Sequence, residues 1–165
     1  MRMRALPLLL TVAIAASILG AWAPAQADGP ERVVVPIDTI LVDDTTCDFP
    51  FVEEFTGRLV FLIFRDEAGN LVEQKVHVEA RGTITNPATG ETVHVQEILN
   101  AFLDFEEGTR TWAGMRLKVT IPGLGSALVD IGRVIFDSSG NILFEAGPHQ
   151  LLHEDFDAFC DGLRS

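Results

Sequence analysis

The sequence predicts a mainly β protein: an antiparallel up-and-down β-barrel, or a strongly curved sheet, finished by a short C-terminal helix. Three observations carry this. Apolar and polar residues alternate with a period of two over successive long runs. Short loops rich in Gly, Asn, Asp and Pro separate those runs, which is the pattern of hairpin-linked strands. Helical spacing is confined to the last residues of the chain. With 165 residues, 47% of them hydrophobic, the chain suits a single domain with an ample core. Disorder is disfavoured, because it requires low hydrophobicity beside high charge.

Residues 1–27 read as an export signal and not as part of the fold. Arg2 and Arg4 form a positive start, Ala5 to Gly20 carry no charge, and Ala25-Gln26-Ala27 places small residues where a signal peptidase reads. Cleavage is expected between Ala27 and Asp28, leaving residues 28–165 as one secreted domain. A membrane anchor is the competing reading, since Leu6 to Trp22 approaches spanning length, but Pro24 and the A-x-A triplet stand where a cleavage site belongs.

Arg32 to Val42 is a Val/Ile-rich strand, and Pro36 within it points to a sheet edge or a bulge, because proline cannot donate to a central ladder. Phe51 to Phe64 is a second run, ending in an apolar block from Leu59 whose two faces are both apolar. Asp66 to Asn70 supplies a hairpin loop. From Leu71 to Thr85, Val72, Val76, Val78 and Ala80 alternate with Glu73, Lys75, His77 and Glu79. After the turn Asn86 to Gly90, the inner set from Thr92 to Phe105 includes Val93, Val95, Glu97, Leu99 and Ala101. Thr111 to Ile121 follows, with Ala113, Met115, Leu117 and Val119 expected to face in. Ala127 to Phe136 is expected to turn Ala127, Val129, Ile131, Arg133 and Ile135 inward, before a last strand from Ile142 to Ala146. Phe156, Phe159, Cys160 and Leu163 then fall on one stripe of an amphipathic helix.

Cys47 and Cys160 are the two cysteines, and in an exported chain they most simply form one disulfide. No C-x-x-C pair and no adjoining histidine suggests a reactive thiol. Asp66-x-x-Gly69-Asn70 and Asp137-x-x-Gly140-Asn141 share a pattern, read as reuse of one good turn.

Thr85-Asn86-Pro87-Ala88-Thr89-Gly90, Gly147-Pro148-His149 and the Cys-containing stretch Phe156 to Leu163 resemble the turn and ending of small exported actinobacterial proteins. That resemblance implies a barrel similar in architecture to allene oxide cyclases, dirigent proteins and other calycin-like folds. No catalytic residue of those enzymes matches a position of this sequence, and shared fold does not carry shared activity.

Twenty-four acidic residues against 12 basic give a formal charge of -12. That argues against nucleic acid as a partner, and against docking on anionic membrane once the signal is removed. No P-loop, H-E-x-x-H, G-x-S-x-G or calcium-loop motif is present, and no cofactor is implied. Neighbouring acid pairs such as Asp43-Asp44 point to opposite faces of a strand, so they do not form a carboxylate dyad. His149 and His153, four apart beside Glu154 and Asp155, have the spacing of two metal ligands on a helix, but no third ligand is specified.

The informative polar residues interrupt apolar faces. Glu97 and Arg133 are each the lone charge on an alternating apolar face, so they are expected to meet inside the barrel as an ion pair or as ligand anchors. Glu53, between Phe51 and Phe55, is a third candidate. Three function classes remain open. One is a module binding a small hydrophobic molecule. Another is a cyclase- or isomerase-type enzyme using Glu97 against Arg133. The third is an envelope interaction protein whose apolar outer faces bury against copies of itself in a homo-oligomer.

Overall fold

The computed structural model describes residues 29–164, except 122 and 124. The expected export segment and the Ala27–Asp28 cleavage point lie outside the described residues. Seven strands and one helix follow in order: β1 (Glu31–Asp43), β2 (Phe51–Arg65), β3 (Leu71–Thr85), β4 (Thr92–Asp104), β5 (Thr109–Ile121), β6 (Gly125–Phe136), β7 (Ile142–Ala146) and α1 (Asp157–Arg164). Each strand pairs antiparallel with the next, in the order β1 to β7. Among the described residues no ladder joins β1 to β7, so the architecture is an open, strongly curved sheet and not a closed barrel.

Turn chemistry sets the hairpins. In the loops at Asp66 and Asp137, the aspartate carboxylate accepts from both the backbone and the side chain of the asparagine four residues on, at 2.8 Å in every case. The glycine N–H of each loop donates back to the aspartate carbonyl. The two loops are one device used twice, as their shared sequence predicts.

Curvature needs close strand approach. A Cβ on Gly82 would lie 1.8 Å from the Glu54 carbonyl oxygen, and one on Gly57 would lie 2.1 Å from that of Glu79. Only hydrogen fits at these two points, which lets β2 and β3 coil tightly. The result is an inner face and an outer face. On β1, Val33, Val35, Ile37 and Thr39 are half-buried while Val34, Pro36, Asp38 and Ile40 are exposed. Pro36 sits on this free edge strand, where its missing N–H breaks no central ladder.

The dry core occupies one end of the inner face. Phe51, Ile84, Val93, Val95, Val119 and Leu128 come from the sheet, and Phe159 and Leu163 come from α1 laid over it. Phe51 and Phe159 meet edge to face at 5.5 Å. The Cys47–Cys160 disulfide, 113 residues apart in sequence, ties the β1–β2 connection to the buried stripe of α1. The far end of the helix is held by the Asn86 turn: Asn86 Nδ2 donates to the Leu163 carbonyl at 2.9 Å and Thr89 Oγ1 donates to the same oxygen at 3.2 Å. Side chains thereby satisfy a carbonyl that the last turn leaves without a partner.

One irregularity decides which residues share the inner face of β5 and β6. On β5, Arg116 and Leu117 together oppose Glu97 of β4, since Gln96 pairs with Lys118 and Ile98 with Met115. Against β6, Leu117 pairs with Asp130 and Met115 with Ile131, leaving Arg116 as the extra residue of a β-bulge. Trp112, Gly114 and Arg116 therefore face in before the bulge, and Leu117 and Val119 face in after it. On β6 the inner set is Leu128, Asp130, Gly132, Val134 and Phe136. Arg133 lies on the outer face, exposed, its guanidinium 6.0 Å from the Phe144 ring centre. The expected meeting of Glu97 and Arg133 is thus corrected. β6 is apolar on both faces, so alternation alone does not say which one is buried.

Candidate functional site

Glu97 of β4 does face inward, and its cationic neighbour is Arg116, delivered by the bulge on the adjacent strand. The Arg116 guanidinium lies over the Trp112 ring at 4.4 Å, and Arg110 approaches the same ring at 4.8 Å. On its other side Arg116 Nη1 stands 3.9 Å from Asp130 Oδ2. Asp130 is 2% exposed and is fully engaged. Its Oδ1 is 3.1 Å from His149 Nδ1, and its Oδ2 accepts from the Leu152 N–H at 3.2 Å.

His149 is reached because the chain after β7 folds back along β6. The Ile131 N–H donates to the Pro148 carbonyl at 2.8 Å, the Val129 N–H donates to Gln150 Oε1 at 2.7 Å, and Asp130 bridges to His149. Gly132 makes room beneath. A Cβ there would lie 2.0 Å from the Ala146 carbonyl oxygen and 2.9 Å from His149 Nε2, and its φ of +146° is one that side chains rarely adopt. His149 Nε2 in turn lies 3.2 Å from the Ala146 carbonyl, so both ring nitrogens face oxygen atoms.

The chemical character of Glu97 follows from its place. Burial pushes its carboxyl up to about 7, against the downward pull of Arg116. Burial also pulls Arg116 below its ordinary value, while Asp130 and Glu97 pull it back up; a guanidinium remains charged throughout. Among the described residues Glu97 makes no hydrogen bond and no contact ion pair, unlike Asp130. A carboxyl of this kind exists in both forms near neutral pH, able to donate or to accept a hydrogen bond. Between Trp112, Arg116, Asp130, His149 and Leu152 lies a cavity of about 10 Å³, room for a single water.

The other candidates fall elsewhere. Glu53 is on the inner face, and burial, reinforced by the Asp43 charge, also pushes it up to about 7. Its partner Ile84 pairs with Val93, however, well along β4 from Glu97, so the two glutamates do not converge. His149 and His153 do not share a helical face, because His149 bridges to Asp130, residues 150–154 form turns and Glu154 takes a φ of +57°. His153 instead reaches the exposed carboxylate of Glu145. Among the described residues no three His, Cys, Asp or Glu side chains are grouped to hold a metal ion. Arg116 and Trp112 were not marked by alternation, because the bulge reverses the face of β5, and Asp130 was not marked because both faces of β6 are apolar. The signal that would have found Asp130 is that it is the one acid of β6, whose other polar side chains are Ser126 and Arg133.

No family model, curated protein or solved structure matches this chain.

Proposed function

We propose that the protein is an exported binding module that holds a small, largely apolar molecule along the open part of the inner face. A polar group of that molecule meets Glu97 and Arg116. Val35, Leu59, Phe61 and Trp112 are half-buried inner residues that α1 does not cover, and they supply the apolar contact. The cavity beside Arg116 holds only a water, so the ligand lies in the open trough and reaches the charged group with one end. The observation that carries the reading is the Glu97 carboxyl, set on an apolar face with Arg116 near it and no contact partner of its own. The Cys47–Cys160 disulfide supports export, since such bonds persist in oxidising compartments.

Native mass spectrometry of the secreted protein tests this. A one-to-one small-molecule adduct, lost in folded Glu97→Leu and Arg116→Leu variants, is the expected result. Trp112 gives a second readout, because its indole lies within the site. Titration with decanoate should change its fluorescence saturably. No adduct and no saturable change would overturn the reading. A ligand-free oligomer that grows with concentration would point instead to pairing through the free β1 edge, where Val34, Ile40 and Val42 are exposed.

A second reading rests on the same carboxyl. A Glu poised at about 7 beside a fixed cation suits proton transfer in a cyclase- or isomerase-type reaction, with Glu97 as acid or base and Arg116 steadying a developing oxyanion. Turnover of a lipid-like or terpenoid substrate, with a pH profile centred near 7 and abolished by Glu97→Gln, would favour it.

A further inference from the structure

The bulge that turns Arg116 inward turns Lys118, two residues on, to the outer face. Residues two apart on a regular strand share a face, so the extra residue in β5 sends these two cations to opposite sides. Lys118 arrives beside a depression of about 500 Å³ on the outer surface, separate from the inner site. Its lining is polar. Thr56, Arg81, Gln96 and Lys118 form one cross-strand row from β2 to β5, and His94 and Thr120 belong to the next row.

In a chain of net charge -12, no Asp or Glu lines this depression. Arg58, Lys75 and Arg164 are each neutralised by a carboxylate within 3.1 Å. Arg81 and Lys118, by contrast, make no hydrogen bond or ion pair among the described residues. The nearest acids stand beside it and not in its lining: Glu79 is held by Arg58 at 2.8 Å, and Glu54 and Asp38 lie opposite Thr83 and Thr56 on the edge-ward strands. Adjacent strands stand about 4.8 Å apart, so the Arg81 and Lys118 backbones flank Gln96 at roughly 10 Å. Both side chains are long enough to reach toward an oxyanion placed over Gln96, and hydroxyl, amide and imidazole groups line the depression.

We infer that this outer depression is a second binding site, for a sugar or similar polyol bearing a phosphate or sulfate group. Arg81 and Lys118 take the oxyanion, and Thr56, Gln96, His94 and Thr120 meet hydroxyl groups of the polyol. An apolar ligand has no counterpart here, since Val95 and Gly82 are the only lining residues without a polar side chain. Charge-assisted hydrogen bonds give the strongest part of the recognition, and added salt weakens it.

The test is an amide chemical-shift titration of the folded domain at about 0.15 M ionic strength, with glucose 6-phosphate, glucose and inorganic phosphate as separate probes. Glucose 6-phosphate is expected to give saturable shifts confined to the stretches around Arg81, Gln96 and Lys118. Arg81→Ala and Lys118→Ala, both at exposed or half-buried positions, should each weaken it about tenfold. Glu97→Gln should leave it unchanged, which separates this site from the inner one. Absence of saturable shifts, equal response to glucose, or undiminished binding in both variants would overturn the proposal. Inorganic phosphate binding as tightly as the sugar phosphate would overturn the polyol part of it.

Discussion

The two halves of the inner face are built from the same sheet and differ in what closes them. At the α1 end, Phe51, Ile84, Val93, Val119 and Leu128 meet Phe159 and Leu163 in a dry core, locked by a disulfide. Along the middle, Glu97, Arg116, Asp130 and His149 interrupt the apolar face, and the cavity beside Arg116 is the size of a water. Strict alternation and a helical lid make the first region. A bulge and a folded-back segment make the second. The dry core of this domain and its polar inner cluster are therefore separable by mutation, because different backbone devices build them.

The largest expected effect attacks the lid. Replacing Cys47 and Cys160 by serine removes a link that closes a 113-residue separation, worth about 4–5 kcal/mol by chain entropy. Denaturant unfolding should show that loss while the Glu97 environment stays as it was. Next comes the clamp under the charged group. Asp130→Ala leaves His149 and the Leu152 N–H without their acceptor and should cost about 3–5 kcal/mol, as breaking a buried pair does. Thermal unfolding checks it, and a change under about 1 kcal/mol would show that Asp130 is not a structural anchor.

Glu97→Gln should act in the opposite direction. The folded carboxyl titrates at about 7 against an ordinary 4.5. Below that lower value it is neutral in both folded and unfolded chains and contributes nothing. Between the two values only the unfolded chain releases the proton, so stability falls as pH rises; above 7 the full penalty of about 3–3.5 kcal/mol remains. The variant should therefore be more stable than the native chain by that amount at pH 8, with the advantage fading to nothing by the ordinary value. Glu53→Gln should behave alike through the same window. The smallest effect is expected at Arg133→Ala: the side chain is exposed on the outer face, so stability should change by less than about 0.5 kcal/mol.

Much of the first region was legible in the sequence. Alternation placed Val93, Val95 and Val119, the helical stripe placed Phe159 and Leu163, and Pro36 marked an edge strand. Compartment and cysteine count gave the disulfide. The second region was only half legible. Glu97 stood out because a lone charge on an apolar face needs a partner, but the partner depended on register. Met115-Arg116-Leu117 carries no Gly or Pro to announce a bulge, and β6 offers Val129, Ile131 and Ile135 on one face against Leu128, Val134 and Phe136 on the other. With both faces apolar, periodicity could not choose between Asp130 and Arg133. His149 was singled out with the wrong companion, since its spacing to His153 suggests a helix where the chain makes turns.

The β5 bulge gathers Glu97 and Arg116 on the inner face, where Glu97 is largely buried. The most direct test of that arrangement is a pH titration of the Glu97 side-chain carboxyl carbon by NMR, in the native chain and in Arg116→Gln. The expected midpoint is about 7 in the native chain, moving higher when the guanidinium is removed. A midpoint near 4.5, unmoved by Arg116→Gln, would contradict it.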